Sequence, residues 1–192
     1  IDYLLGEFRK MGADAVKDAY GNLIARFPAL GCEGREPILL SCHADTVMPG
    51  KGIEPVLEDG VIRSAGDTIL GADDKAGIAE MLEALRVAGV RPPVEVGISR
   101  QEEVGLLGVK NLDFSLVTAR KGFLLDNDTL DTIVIGGPSY FAIDVDVKGR
   151  AAHAGMEPEK GINAIQAAAT AIAALKLGRL DHDTTANVGV IR

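Results

Sequence analysis

Along the first two thirds of the chain, segments with hydrophobic residues at every third or fourth position alternate with short continuous hydrophobic runs. Apolar residues recur every three or four positions from Ile1 to Met11 and again from Ile78 to Leu85, which predicts two amphipathic helices. Short apolar runs predict strands at residues 22–27, 38–43, 94–99 and 122–125. Strands that alternate with helices are typical of a mostly parallel sheet with helices on both faces. The pattern therefore predicts an α/β domain.

After Gly137 the pattern changes. Apolar and polar residues alternate from Phe141 to Val147, which predicts a strand with one face in solvent. An alanine-rich helix is expected from Ile165 to Leu175, and a last strand over residues 187–192. We therefore expect one domain at residues 1–137 and the first part of a smaller α+β domain at 138–192. Because the chain begins within a helical pattern and stops within a strand, we expect it to be the N-terminal part of a longer protein.

The amino-acid composition argues against some classes of binding partner. Of the residues, 47% are hydrophobic and 25% are charged, as in globular proteins, and no apolar stretch is long enough to span a membrane. The 28 acidic and 20 basic residues give a net charge of -8, which argues against nucleic-acid and membrane partners. Two cysteines, Cys32 and Cys42, are too few for a disulfide framework and favour a cytoplasmic setting.

Acidic residues and one histidine follow the ends of the predicted strands. They are His43 and Asp45 after the strand at 38–43, Glu102 and Glu103 after 94–99, Asp126 after 122–125, and Asp73 and Asp74 at the start of the second helix. Each alone could be a solvated turn or a helix cap. Ligands gather at the carboxyl ends of parallel strands, however, and so much negative charge in one crevice requires a cation. Together these residues predict a metal site.

Four segments resemble motifs of one family. Residues 41–47 (SCHADTV) resemble the H-x-D-T-V segment of the M20 metallopeptidases, and residues 68–77 (TILGADDKAG) resemble the peptidase T-like form of their D-x-K-x-G segment. Residues 101–106 (QEEVGL) resemble the acidic pair of the family, and residues 149–155 (GRAAHAG) resemble its lid segment. The resemblance covers essentially the whole chain. It implies a zinc-exopeptidase-like catalytic domain followed by a lid or dimerisation domain.

The resemblance also implies a role for each site residue. Two divalent metal ions are expected, as zinc or alternatively manganese or cobalt. The implied ligands are His43, Asp73 and Asp126 for one ion, and Asp73, as a bridge, with Glu103 for the other. The implied catalytic residues are Glu102 as general base, Asp45 holding the His43 ring, and His153 reaching the site of a partner subunit; a solvated loop histidine is the alternative for His153. A cis peptide bond between Asp73 and Asp74 is implied as well.

The activity implied is hydrolysis of short peptides by an aminopeptidase or tripeptidase-like homodimer. An M20 deacylase or carboxypeptidase that acts on N-acyl amino acids is an alternative. A non-catalytic metal-binding scaffold is another, although the presence of both Glu102 and Glu103 argues against it. The last metal ligand of the family, a C-terminal histidine, has no counterpart among these residues, and His182 is expected to be a surface histidine.

These 192 residues by themselves are expected to be poorly soluble or partly unfolded, to bind at most one metal ion tightly and to lack peptidase activity. The second ion would keep only Asp73 and Glu103, whereas catalytic zinc sites commonly have three protein ligands. Metal stoichiometry and tripeptide hydrolysis, measured on this chain alone, check the prediction. A stable and active product with two ions would contradict it.

Overall fold

The computed structural model describes residues 1–192, which divide into two units, Ile1–Leu130 and Asp131–Arg192. The first unit contains three helices and seven strands. In chain order these are α1 (Asp2–Lys10), β1 (Asp14–Lys17), β2 (Leu23–Phe27), β3 (Ile38–His43), β4 (Pro55–Glu58), β5 (Val61–Ser64), α2 (Ala72–Val87), β6 (Val94–Ser99), α3 (Leu107–Lys110) and β7 (Gly122–Leu124). None of the helices in the structure combines the length and the apolar character needed to cross a membrane.

Five of the strands form one sheet in the order β1-β2-β6-β3-β7. Strand β3 is parallel to β6 on one side and to β7 on the other, whereas β2 is antiparallel to both of its neighbours, β1 and β6. The predicted α/β class is confirmed, and the sheet is mixed rather than mostly parallel. The short turn between β1 and β2 explains the difference, because a connection of a few residues can join only antiparallel neighbours.

One face of the sheet packs against α1 and α2. Three rows of side chains cross this face, one from each of the strands β2, β6 and β3, and meet Phe8 from α1 and Met81 from α2. The rings of Phe8 and Phe27 meet edge to face, with 5.9 Å between their centroids. Burying such side chains contributes about 1.5–3 kcal/mol each, so this layer holds the helices on the sheet.

The segment after β6 approaches the opposite face of the sheet. From β2, Arg26 donates its Nη2 hydrogen to the carbonyl of Leu116 at 2.5 Å. From β6, the Glu95 carboxylate accepts the amide N–H groups of Thr118 at 2.8 Å and Ala119 at 2.9 Å, and the Thr118 hydroxyl at 2.6 Å. These bonds fix the chain that leads into β7, and so they fix where β7 ends.

The second unit contains the predicted alanine-rich helix, α4 (Ala164–Ala174), with the side chain of Asn163 accepting the Gln166 amide at its start. It also contains a short hairpin of β8 (Gly178–Arg179) and β9 (Thr185–Ala186). The strands expected over 141–147 and 187–192 are wrong for this structure, because neither segment pairs with another strand. Alternating apolar and polar residues predict which face of a strand would be buried. A strand forms, however, only where its backbone N–H and C=O groups can pair with those of a neighbouring strand. The boundary at Gly137 stays a prediction.

Replacing Glu95 is expected to weaken the fold in a pH-dependent way. Burial opposes ionisation of this carboxyl, but the hydrogen bonds from Thr118 and Ala119 outweigh it and lower the pKa of Glu95. Its stabilisation is therefore complete above the unfolded pKa of about 4.3 and is lost as the pH falls through the lower folded value. Glu95→Gln should lower the free energy of unfolding at pH 7 by about 1–3 kcal/mol.

Urea unfolding of the variant and the wild type at several pH values checks this prediction. The difference between them should shrink below pH about 4. Glu36→Gln is the control, since Glu36 is exposed. An unfolding free energy for Glu95→Gln equal to that of the wild type at pH 7 would show that the three hydrogen bonds do not anchor the segment.

Candidate metal centre

His43 lies at the carboxyl end of β3, buried between carboxylates from two other segments. Its Nε2 atom is 2.8 Å from Oδ1 of Asp73 and 3.9 Å from Oδ1 of Asp126. Asp126 follows β7, which is parallel to β3, so both residues occupy the same edge of the sheet. The predicted group of His43, Asp73 and Asp126 is brought together, with one ligand atom from each within 4.8 Å of the others.

The start of α2 is distorted where it supplies Asp73. Gly71 has a φ of 69°, and Asp73 and Asp74 have non-helical backbone angles. The peptide bond between Asp73 and Asp74 is cis, as the family resemblance implies. The side chain of Asp74 is buried, and its Oδ2 atom accepts the backbone N–H of His43 at 3.2 Å. Thus Asp73 faces the site while Asp74 ties the helix to β3.

Gly77, one turn further along α2, allows this part of the site to close. A Cβ atom at Gly77 would lie 2.1 Å from the carbonyl oxygen of Leu125 and 2.3 Å from Oδ1 of Asp74. Real Cβ contacts are never so short, so only glycine permits the helix to approach the end of β7 this closely. Gly77 therefore sets the separation between the segments that carry Asp73 and Asp126.

The two adjacent glutamates lie in the segment that follows β6, which consists of a loop and the first two residues of α3; we call this segment, residues 100–108, the glutamate loop. Gln101 has a φ of 57° and turns the chain sharply at the end of the strand. The Asp45 carboxylate then accepts the amide of Glu102 at 3.0 Å and that of Glu103 at 3.2 Å. Both glutamates and His43 each place one ligand atom within 4.8 Å of the others.

Asp45 is expected to hold the His43 ring, but its hydrogen bonds in the structure are made to other groups. Its Oδ1 atom lies 3.5 Å from Nδ1 of His43, but Nδ1 makes no hydrogen bond in the structure. The Asp45 carboxylate instead accepts hydrogen bonds from the backbone amides of Glu102 and Glu103 in the glutamate loop. The sequence did not predict this contact, because hydrogen bonds from a side chain to a distant backbone segment leave no trace in residue spacing. The role of holding His43 stays a prediction.

The crowding of charge shifts the pKa values at the site. Burial, reinforced by the charges of Glu103, Asp126 and Asp45, raises the pKa of Glu102 against the effect of His43. Burial, and then the neighbouring Asp73, raises the pKa of Asp126. For His43, burial opposes protonation, but the hydrogen bond to Asp73 and the charges of Asp126 and Asp73 outweigh it, so its pKa is raised.

The donor set fits a divalent metal ion. Carboxylate oxygens and an imidazole nitrogen suit zinc and manganese, and the two groups of possible ligands share His43. The buried and unpaired Nδ1 atom also fits, because a ring bound to a metal through Nε2 carries its hydrogen on Nδ1, within reach of Asp45. Both observations support the site expected from the sequence.

A cleft of about 400 Å³ opens beside these side chains. The polar end is lined by His43, Glu102 and Asp126. Leu39 and Phe123 are among the residues that line its apolar part.

Two further histidines lie in the second unit. The ring of His153 is exposed, and its Nδ1 atom accepts the amides of Gly155 and Met156, each at 3.2 Å. These bonds orient the ring within its own loop, and its catalytic role stays a prediction. His182 is almost fully exposed beside Asp183, in agreement with a surface histidine.

Comparison with known proteins gives relatives for both units. Residues 138–192 match the family model described as a peptidase dimerisation domain of the M20 type. The uncharacterised protein YqjE of Bacillus subtilis is 41% identical over 95% of this chain. The chain covers 52% of YqjE, or about half of its length.

Two solved structures are similar over 98% of the chain. The aminopeptidase PepT of Bacillus cereus is 38% identical with a TM-score of 0.75, and a tripeptidase of Staphylococcus aureus is 32% identical with a TM-score of 0.78. The chain covers 54% of each. With the motifs around His43, Asp73 and Glu102, these matches confirm the resemblance of the chain to the peptidase T-like branch of the M20 metallopeptidases.

Proposed function

We propose that the protein is a metal-dependent exopeptidase that removes residues from short peptides, in the manner of an aminopeptidase or tripeptidase. The observation that carries the proposal is that His43 belongs to two groups of possible metal ligands, one with Asp73 and Asp126 and the other with Glu102 and Glu103. Of these residues, His43, Glu102 and Asp126 line the cleft. The names of the two structural neighbours, an aminopeptidase and a tripeptidase, support peptides over N-acyl amino acids as substrates.

Two divalent ions, with zinc as the first choice, would be held by these side chains. His43, Asp73 and Asp126 would bind one ion, and Asp73 with Glu103 would bind the other. When bound, such ions lower the pKa of a water molecule and polarise the scissile carbonyl. The protein contributes the spacing of the ligands, which the strand ends and the start of α2 determine.

Glu102 would act as the general base. Its carboxylate lines the cleft, and its backbone is held by Asp45, so the side chain extends from a fixed point. It would take the proton of the attacking water and pass it to the leaving amine. General bases in such positions contribute about 10²–10⁴-fold to the rate.

The second unit would supply the dimer contact and His153. The match of residues 138–192 to a dimerisation domain supports a homodimer, and the family resemblance supports His153 as a group that steadies negative charge on the substrate of the partner subunit. The backbone amides that bind Nδ1 leave the other ring nitrogen free to donate a hydrogen bond.

Substituting the two glutamates separately tests the division of roles. In the full-length protein, Glu102→Ala should lose tripeptide hydrolysis by about 10²–10⁴-fold yet keep its metal content. Glu103→Ala should lose both activity and affinity for the second ion. Steady-state rates with a panel of tripeptides and N-acyl amino acids, together with metal analysis, supply the readout. Near-wild-type turnover of Glu102→Ala would refute the role of base, and cleavage of N-acyl amino acids alone would refute the peptide substrate.

Gly77→Ala tests the arrangement of the first ion's ligands. The added Cβ must push the carbonyl of Leu125 away from Asp74, which separates the segments that carry Asp126 and Asp73. Disturbing the supports of metal ligands typically costs about 10- to 100-fold in affinity, and a loss of that size is expected in a zinc titration of the variant. Gly89→Ala is the matched control, because nothing lies within 4 Å of a Cβ built there. Equal zinc affinities of the two variants would contradict the proposed ligand set.

A further inference from the structure

Asn22 is a completely buried polar residue at the base of the glutamate loop. It precedes β2, and its side-chain Oδ1 atom accepts the backbone N–H of Arg100 at 3.2 Å. Its Nδ2 group donates to the carbonyl of Gly108 at 3.0 Å. One carboxamide therefore binds the first and the last residue of the loop. No sequence motif or proposed catalytic role accounts for this contact.

Asp18 determines which way the carboxamide of Asn22 faces. The Asp18 carboxylate accepts the Nδ2 group of Asn22 at 2.8 Å, as well as the amides of Gly21, Asn22 and Asp113. Burial opposes the charge, but these bonds outweigh it and lower the pKa of Asp18. A carboxylate that only accepts hydrogen bonds forces the NH₂ end of the amide toward itself and Gly108, and the oxygen toward Arg100.

The two ends of the glutamate loop, Arg100 and Gly108, touch where Asn22 binds them, and we call this point the neck of the loop. Its tip is formed by Glu102 and Glu103. A Cβ atom on Gly108 would lie 1.9 Å from the carbonyl oxygen of Arg100, so the neck of the loop closes only because residue 108 is glycine. Within the loop, the amide of Leu107 donates to the carbonyl of Gln101 at 3.0 Å. The neck is thus held by Asn22, and the tip by Asp45 through the amides of Glu102 and Glu103.

We propose that Asn22, oriented by Asp18, is a positioning residue that closes the neck of the glutamate loop and thereby places Glu102 and Glu103. This inference rests on the proposed function, since it acts through the base and the metal ligand. Asparagine suits the position because it is a donor and an acceptor in one small side chain. An aspartate would fit the same space but would lose the donor to Gly108 and repel Asp18.

The experiment compares two substitutions of Asn22 with a control in the full-length protein. Asn22→Asp keeps the shape, and Asn22→Ser removes the bond across the neck without adding charge. Phe27→Leu is the control: it lowers stability at the far end of β2, where Phe27 pairs with Val94. Each variant is assayed for tripeptide hydrolysis and for hydrogen exchange of the amides in residues 100–108 and in β6.

Both Asn22 variants should lose kcat and kcat/KM together, by about 10- to 100-fold, because a base displaced by about 1 Å loses that much. Exchange should rise about tenfold or more in the glutamate loop, as expected for the loss of one hydrogen bond, and should change little in β6. Phe27→Leu should keep the wild-type kcat.

Three results would overturn the proposal. The first is that the Asn22 variants keep the wild-type kcat and the wild-type hydrogen exchange in the glutamate loop. The second is that Phe27→Leu loses as much kcat as the Asn22 variants do. The third is that hydrogen exchange in the Asn22 variants rises in β6 as much as in the loop, which would indicate global unfolding. A wild-type protein that cleaves no peptide would instead refute the proposed function. In that case the exchange data alone still decide whether Asn22 holds the loop.

Discussion

The parallel pairing of β3 with β6 on one side and with β7 on the other is the constraint on which the candidate site depends. In this pairing His43 lies opposite Ser99, and β7 ends beside the same edge, so the residues after all three strands converge. An antiparallel neighbour would have sent its following residues to the other end of the sheet. The cleft opens at this edge, with both polar and apolar walls.

A second constraint is the use of carboxylates as acceptors for backbone amides. Asp18, Asp45, Asp74 and Glu95 each bind N–H groups of a distant segment. Buried charge is tolerated when such hydrogen bonds satisfy it. Part of the acidic excess of this chain therefore holds loops in place. Asp73 and Asp126, in contrast, face His43 and are available to bind a cation.

The second unit shows where pattern and structure diverge. The alanine-rich helix forms as expected, because its hydrogen bonds are all local and Asn163 caps its start. The alternating segment from Phe141 to Val147 does not form a strand, since its backbone groups require a partner that local sequence cannot supply. In the first unit β1 was missed for a related reason: four residues, Asp14–Lys17, carry too little pattern to be recognised before they pair with β2.

The sequence by itself determined the elements with strong local signals and the identity of the chemical groups. Helix α2, strands β3 and β6, and the motifs around His43, Asp73 and Glu102 could all be predicted, because periodicity and residue type depend on neighbours along the chain. Only the tertiary structure decided the mixed order of the sheet, the binding of Asp45 to the glutamate loop and the burial of Asn22 at its neck. These features join residues far apart in the sequence, and long-range hydrogen bonds leave no periodic signal.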